Sequence, residues 1–228
     1  MSPHILDNPA WNALTSGNKD LALGTDEVKF FPEDVSPFAG LKQFNEKAFY
    51  ELFNLISNDR TIIVPSIHKL QIPVYWKIIK EVVALQMIYN SSEVITKIDP
   101  RIVSLAEKDI PQMIALTELT EPGPFLQRTI DFGCYKGIFS SGELVAMAGR
   151  RMHPYNYIEI SAVCTHPDYT GKGYARSLMN DQIRKIANEG NIPFLHVRDD
   201  NKHAIELYKR IGFTVRAEMN IYVLQKED

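Results

Sequence analysis

The sequence predicts an α/β sandwich with at least one parallel crossover, and three observations carry that prediction. From about residue 101 onward, segments of strand and helix character follow one another as strand, helix, strand, helix, strand. That order sets helices against a sheet and forces a crossover between parallel strands. The chain has 228 residues, 45% of them hydrophobic and 23% charged, the balance of a soluble globular protein with enough apolar side chains for a sizeable core. A Gly-Lys-Gly turn at 171–173 separates a β-type run from a helical one.

Residues 1 to about 40 are rich in turn formers, as in DNPAWNALTSGNKD and FFPEDVSPFAG, with aromatic residues suited to burial. NEKAFYELFNLIS sets Ala48, Phe49, Leu52, Phe53 and Ile56 at helical spacing, while RTIIVPS and EVVALQMIY have strand character. The polar segment NSSEVITKIDPR marks a boundary between a smaller N-terminal α/β domain, 1–98, and a second domain, 99–228. In the second, RIVSLAEKDI reads as strand and turn, and IPQMIALTEL as a helix with proline near its start, broken by TEPGPF. GCYKGIFSSGELVAMAGRRM carries a hairpin signal at Ser-Ser-Gly. Then come a strand NYIEISAVCTH, a helix from about Lys172 to Asn188, a strand PFLHVRD, a helix NKHAIELYKRI, and two terminal strands, FTVRAE and NIYVLQK.

Charge and cysteine usage narrow the partners. Basic and acidic residues number 9 and 11 before position 99 and 16 and 17 from it onward, so neither part is a basic patch and nucleic acid is not an expected partner. No apolar run approaches the ~18 residues that span a bilayer, so no membrane partner is expected. Cys134 and Cys164 lie in apolar β-like runs, and without a secretory signal they read as reduced thiols in a cytoplasmic protein. His4, His68, His153 and His203 lack metal-ligand spacing, so no metal is expected.

In DYTGKGYARSLM the glycines precede the first turns of a helix whose Ala175, Leu178, Met179, Ile183, Ile186 and Ala187 share one face. A helix start leaves about four N–H groups unpaired and carries roughly half a positive charge. Glycine at 171 and 173 removes the Cβ atoms that would keep a phosphate oxygen away from those groups. A tight strand-to-helix turn explains the same glycines without a ligand. A dinucleotide fingerprint fits less well: HPDYT intervenes between strand and glycine, and too little chain follows Asp199 for the rest of that fold.

Residues from about 101 to 228 resemble a GNAT-superfamily N-acyltransferase, most closely its FR47-like branch. The family's acyl-CoA motif is Arg or Gln, two residues, Gly, one residue, then Gly or Ala. It falls here on Thr170-Gly171-Lys172-Gly173-Tyr174-Ala175, preceded by a central strand similar to ISAVCTHPDY and followed by an Asn…Leu-Tyr…Gly-Phe helix, NKHAIELYKRIGF. The resemblance implies a GNAT fold, a mixed central sheet flanked by helices, and acetyl-CoA as co-substrate. It implies phosphates on the N–H groups of 171–176, and a pantetheine arm pairing with the backbone of Val163, Cys164 and Thr165 like an added strand. Lys172 and Arg176 add charge nearby. Thr170 departs from the family's Arg or Gln, which removes a side-chain contact and leaves the backbone cradle.

Acyl transfer to an amine needs a base for the amine, a stabiliser for the developing oxyanion and an acid for the departing thiolate. Strand alternation puts Tyr157, Glu159, Ser161, Val163 and Thr165 on one face and Cys164 on the other. A carboxylate in such a strand is either paired or used. YIEISAV resembles the strand that carries the general base in the histone acetyltransferase branch, which makes Glu159 the candidate base; pairing with Arg150 or Arg151 is its structural alternative. His196 is a second candidate base. Tyr208 shares a helix face with Ala204, Ile205 and Ile211, and the resemblance makes it the acid for the thiolate. Asn201 reads as a helix N-cap and, compatibly, a pantetheine contact. Cys164 reads as a small buried hydrophobe.

The place of LTELTEPGPF in the family implies an acceptor wall, with Glu121 and Phe125 facing a small-molecule amine or amino acid. The N-terminal domain reads as a degenerate copy of the same fold, without a Gly-x-Gly, shaping that acceptor side. The chain is expected to act as a monomer or homodimer. A module that binds acyl-CoA as a sensor, without catalysis, is the reading from another class.

Overall fold

The computed structural model describes residues 4–91, 95–96 and 98–227. Of the polar segment at 90–101, residues 92–94 and 97 lie outside the described residues. In chain order the elements are α1 (Pro9–Leu14), β1 (Leu23–Gly24), β2 (Val28–Phe30), β3 (Ala39–Leu41), α2 (Glu46–Leu55), β4 (Ile62–Ser66) and β5 (Trp76–Tyr89). They continue with β6 (Ile102–Ser104), α3 (Ile110–Thr120), β7 (Lys136–Ser140), β8 (Glu143–Arg150), β9 (Tyr157–Thr165), α4 (Tyr174–Asn188), β10 (Ile192–Arg198), α5 (Lys202–Ile211) and β11 (Phe213–Lys226).

Eight strands form one mixed sheet in the order β4-β11-β5-β10-β9-β8-β7-β6, and β1-β2-β3 form a small separate one. The predicted parallel crossover is β9-α4-β10, the large sheet's parallel pair among these strands. Residues on both sides of position 98 share the large sheet, because β5 lies between β10 and β11. The hairpin turns at Ser141 and Gly142, both at positive φ, as a two-residue turn between twisted strands requires. The two terminal strands expected from sequence are one, β11, with a bulge that skips Arg216 between Val215 and Ala217. A bulge absorbs a polar residue without ending the strand.

Helices α4 and α5 cover one face, where Met179, Ile183 and Ile186 meet Ile158, Ile160, Leu195, Val197, Ile205, Tyr208 and Phe213. The other face carries α3, through Met113 and Leu116 on Tyr135, Met147 and Cys164, and an N-terminal layer of Leu6, Ala10, Leu14, Phe31 and Phe38 on Met152 and Phe194. Burial of such a side chain contributes about 1.5–3 kcal/mol. Asn45 caps α2 by accepting from Ala48 N at 2.9 Å. On α4 the predicted Leu178, Met179, Ile183 and Ile186 are buried, whereas Ala187 is exposed and Gln182 is buried instead. Gln182 is satisfied by donating from Nε2 to the Cys134 and Ala148 carbonyls. Among the described residues no helix is long and apolar enough to cross a membrane.

Candidate active site

The glycine turn has the geometry of an anion cradle. Gly171 and Gly173 sit at φ +75° and +78°, and a Cβ built on either would meet no protein atom within 4 Å, so the space above them is open. Gly173 is the N-cap of α4, and no side chain caps that helix start. Its first N–H groups are therefore free to hold a ligand oxygen. Thr170 is turned away, donating from Oγ1 to the Pro167 carbonyl at 2.9 Å. Lys172 Nζ stands 4.2 Å from the centre of the Tyr169 ring, and the Arg101 guanidinium 4.9 Å from that of Tyr174. Ala175 is half-buried and Arg176 exposed on the first turn of α4.

Upstream of the turn, the parallel pairing of β10 with β9 runs through Tyr157 and Ile158 and ends at the pair Phe194↔Glu159. Beyond that pair β10 stays on β5 through Arg198 and β9 stays on β8 through Thr165, so the two strands part. The edge of β9 over Ile160–Thr165 that faces β10 is thus left unpaired, a template for an extended ligand. Val163, Cys164 and Thr165 lie on it, and Thr165 Oγ1 is buried without a hydrogen-bond partner among the described residues.

A bulge in this strand corrects the expected alternation. The register with β8 shifts between Gly149↔Ser161 and Met147↔Cys164, and Ala162 takes φ +52°. The extra residue flips every side chain after it. Val163 therefore packs toward α4 and α5, while Cys164 packs with Met113, Leu116 and Tyr135 on the same face as Glu159, not the opposite one. Cys164 is buried and its thiol is pushed up to about 11 by that burial, against smaller opposing effects of Thr120 and the Met147 backbone. Such burial disfavours the thiolate, the reactive form. Cys134 is exposed, ahead of β7.

Tyr208 lies in the α4/α5 cluster with its hydroxyl pushed up to about 12, first by burial and then by the nearby Cys164. No hydrogen bond to that hydroxyl is present among the described residues. Asn201 caps α5, accepting from Ala204 N at 3.1 Å. On the α3 side, Phe125 sets its edge against the Tyr135 ring at 5.6 Å, within the cluster that holds Cys164. Glu121 ends α3 in the left-handed conformation, exposed, and its charge reaches Arg198 at the end of β10. Glu121 and Phe125 thus flank the fork from the α3 side.

Glu159 is fully buried and both of its oxygens are engaged. Oε1 accepts from Arg151 Nη2 at 2.6 Å and from His196 Nδ1 at 2.8 Å; Oε2 accepts from Arg151 Nε at 2.8 Å and from Met152 N at 3.3 Å. Burial alone would raise this carboxyl, but the charge and hydrogen bonds of Arg151, together with His196, outweigh it and hold the group well below the usual carboxylate range. Arg151, half of the structural alternative to a general base, is the partner of Glu159, and with His196 and the Met152 N–H it engages both carboxylate oxygens. Arg151 in turn stacks on Phe38 at 4.5 Å, so the N-terminal layer roofs the pair.

Sequence reasoning missed Gln86 and Arg216. Gln86 Nε2 lies 3.0 Å from His196 Nε2 and 2.9 Å from the Leu6 carbonyl, while its Oε1 accepts from Arg216 Nη1 at 2.7 Å. Gln86 is an isolated polar residue in a strand run, and only its pairing opposite His196 shows its use.

The FR47-like protein family model matches residues 135–223. An acetyltransferase structure assigned to the GNAT family, from Novosphingobium aromaticivorans, is 35% identical over 99% of this chain and 100% of that one, with a TM-score of 0.92. The N-alpha-acetyltransferase RimI of Mycobacterium tuberculosis is 35% identical over 83 residues, 35% of this chain and 51% of that protein. An uncharacterized protein of Mycobacterium leprae is 37% identical over 86 residues, 36% of this chain and 23% of that protein. The chain thus matches about half or less of the length of these two curated relatives. Forked mixed sheet, glycine turn and family model together define an acetyltransferase fold. The similarity to the Novosphingobium structure along the whole length places the chain in the GNAT family of acetyltransferases.

Proposed function

We propose that this protein transfers an acetyl group from acetyl-CoA to a primary amine by direct attack, with Tyr208 donating the proton to the departing sulfur. The observation that carries the reading is the meeting, in one fork, of an unpaired strand edge, an uncapped helix start behind two left-handed glycines, and a buried tyrosine that keeps its proton. Bound acetyl-CoA supplies the activated acyl carbon. The N–H groups of 171–176 bind its phosphates, with Lys172 and Arg176 adding charge. The backbone of Val163, Cys164 and Thr165 orients the arm, and Asn201 fixes the start of the helix that carries Tyr208.

A small amine or amino acid is the acceptor that the roofed fork favours. Loop 31–38 is tied to the wall behind Phe125, with Thr129 Oγ1 donating to the Val35 carbonyl at 2.8 Å and Arg128 N to the Asp34 carbonyl at 2.9 Å, which narrows the approach from that side. The likeness to an N-alpha-acetyltransferase favours a second acceptor of the same chemistry, the N-terminal amine of a polypeptide. Thiol release from acetyl-CoA with amino acids, polyamines and short peptides separates the two. Acetyl-CoA binding without thiol release from any of them would support the sensor reading instead.

Gly173→Val tests the cradle. The substitution forces a β-branched residue into positive φ and puts its methyl groups where a phosphate oxygen would approach. Loss of one charge-assisted hydrogen bond, about 1.5–3 kcal/mol, predicts a Kd for acetyl-CoA raised roughly 10- to 100-fold by calorimetry. Acetylated pantetheine, which has no pyrophosphate, should bind as it does to the wild type.

A further inference from the structure

The first link between β9 and β10 beyond their last backbone pair is made by side chains. Phe194↔Glu159 closes the ladder, and two residues further along β10 the His196 Nδ1–H donates to Glu159 Oε1 at 2.8 Å. We propose that Glu159 and His196 are the clasp of the fork, a positioning pair that sets the spacing of β9 and β10 where the acyl-CoA arm enters. Its functional consequence rests on the acetyl-CoA reading above; its structural part does not.

Three observations support the clasp. The Glu159 side chain has no exposed surface and that of His196 only 8%, so their bond is shielded from competing water. Arg151 grips the other side of the carboxylate in a bidentate pair and stops it from turning. The histidine's tautomer is fixed from behind. Gln86 presents its amide oxygen to Arg216 and its amide nitrogen to the Leu6 carbonyl and to His196 Nε2, so Nε2 must accept and Nδ1 must carry the hydrogen that reaches Glu159. Arg216 reaches Gln86 from the bulge of β11 and also pairs with Asp7. A line of polar side chains thus crosses β11, β5, β10 and β9 on one face, and its last bond bridges the fork.

The test compares His196→Asn, whose amide nitrogen can take the place of Nδ1, with His196→Gln, whose amide takes the place of Nε2, and with His196→Leu. In ligand-free protein, amide hydrogen exchange at 160–165 and 195–198 should speed about tenfold in the Gln and Leu variants, the worth of one buried hydrogen bond, with the β7–β8 hairpin unchanged. The Kd for acetyl-CoA should rise about tenfold in the same two variants and stay within about threefold of wild type in His196→Asn. Wild-type exchange in His196→Gln, or equal disturbance by Asn and Gln, would overturn the clasp. If the Leu variant does not fold, the Asn and Gln pair decides alone. A wild-type protein that binds no acetyl-CoA would overturn the functional reading, and exchange would still decide the clasp.

Discussion

Tyr208→Phe lowers kcat by about 10²- to 10⁴-fold, the range for loss of a positioned acid, while the Kd for acetyl-CoA stays within about twofold of wild type. The ring remains among Ile205, Ile211 and Phe213, and no described protein group loses a hydrogen bond, so stability should change little. What is lost is a proton held at the fork. Burial, then Cys164, keeps the hydroxyl protonated up to about 12. Weakened acetyl-CoA binding with kcat intact would contradict the assignment.

Glu159→Leu lowers the free energy of unfolding by about 3–5 kcal/mol at neutral pH, because Arg151 is left buried without its counter-ion. The effect has a definite pH dependence. Glu159 is held well below its ordinary 4.5 in the folded state, so its contribution is complete above that value and is lost as pH falls toward the lowered folded value. Denaturant titrations should therefore show wild type and variant furthest apart at neutral pH, converging below about pH 4.5. A gap that widens on acidification would reverse the sign and remove the ion pair from the explanation.

Features written into neighbouring residues were legible before any coordinates. The turn at 171–173, the cap at Asn201, the buried face of α4 and the hairpin at Ser141-Gly142 depend on short-range backbone chemistry. Alternation along β9 was legible only as far as Ser161, because an alanine at positive φ leaves no mark in sequence and every side chain after it changes face. The partners of Glu159 were half legible: Arg151 is near in sequence, whereas the path through His196, Gln86 and Arg216 joins three strands that only the sheet brings together. Glu159 stood out correctly as a buried charge in need of a partner. A carboxylate that is paired and one that is used look the same along a strand.

The slot occupied by β5 bears on how the chain reaches this structure. Its partners β10 and β11 are made after it, and Trp76 pairs with Lys226, 150 residues further along. The central sheet cannot close during synthesis until β11 has emerged, and pairing over so long a separation slows folding. In the interval β5 is an unpartnered, apolar strand, a hazard for association with other chains. Its first half, paired only with β11, carries features that limit that hazard: a bulge at Ile79 and the charges of Lys77 and Lys80. A chain begun at residue 99 would have the reverse problem, with β10 and β11 both presenting bare edges to solvent.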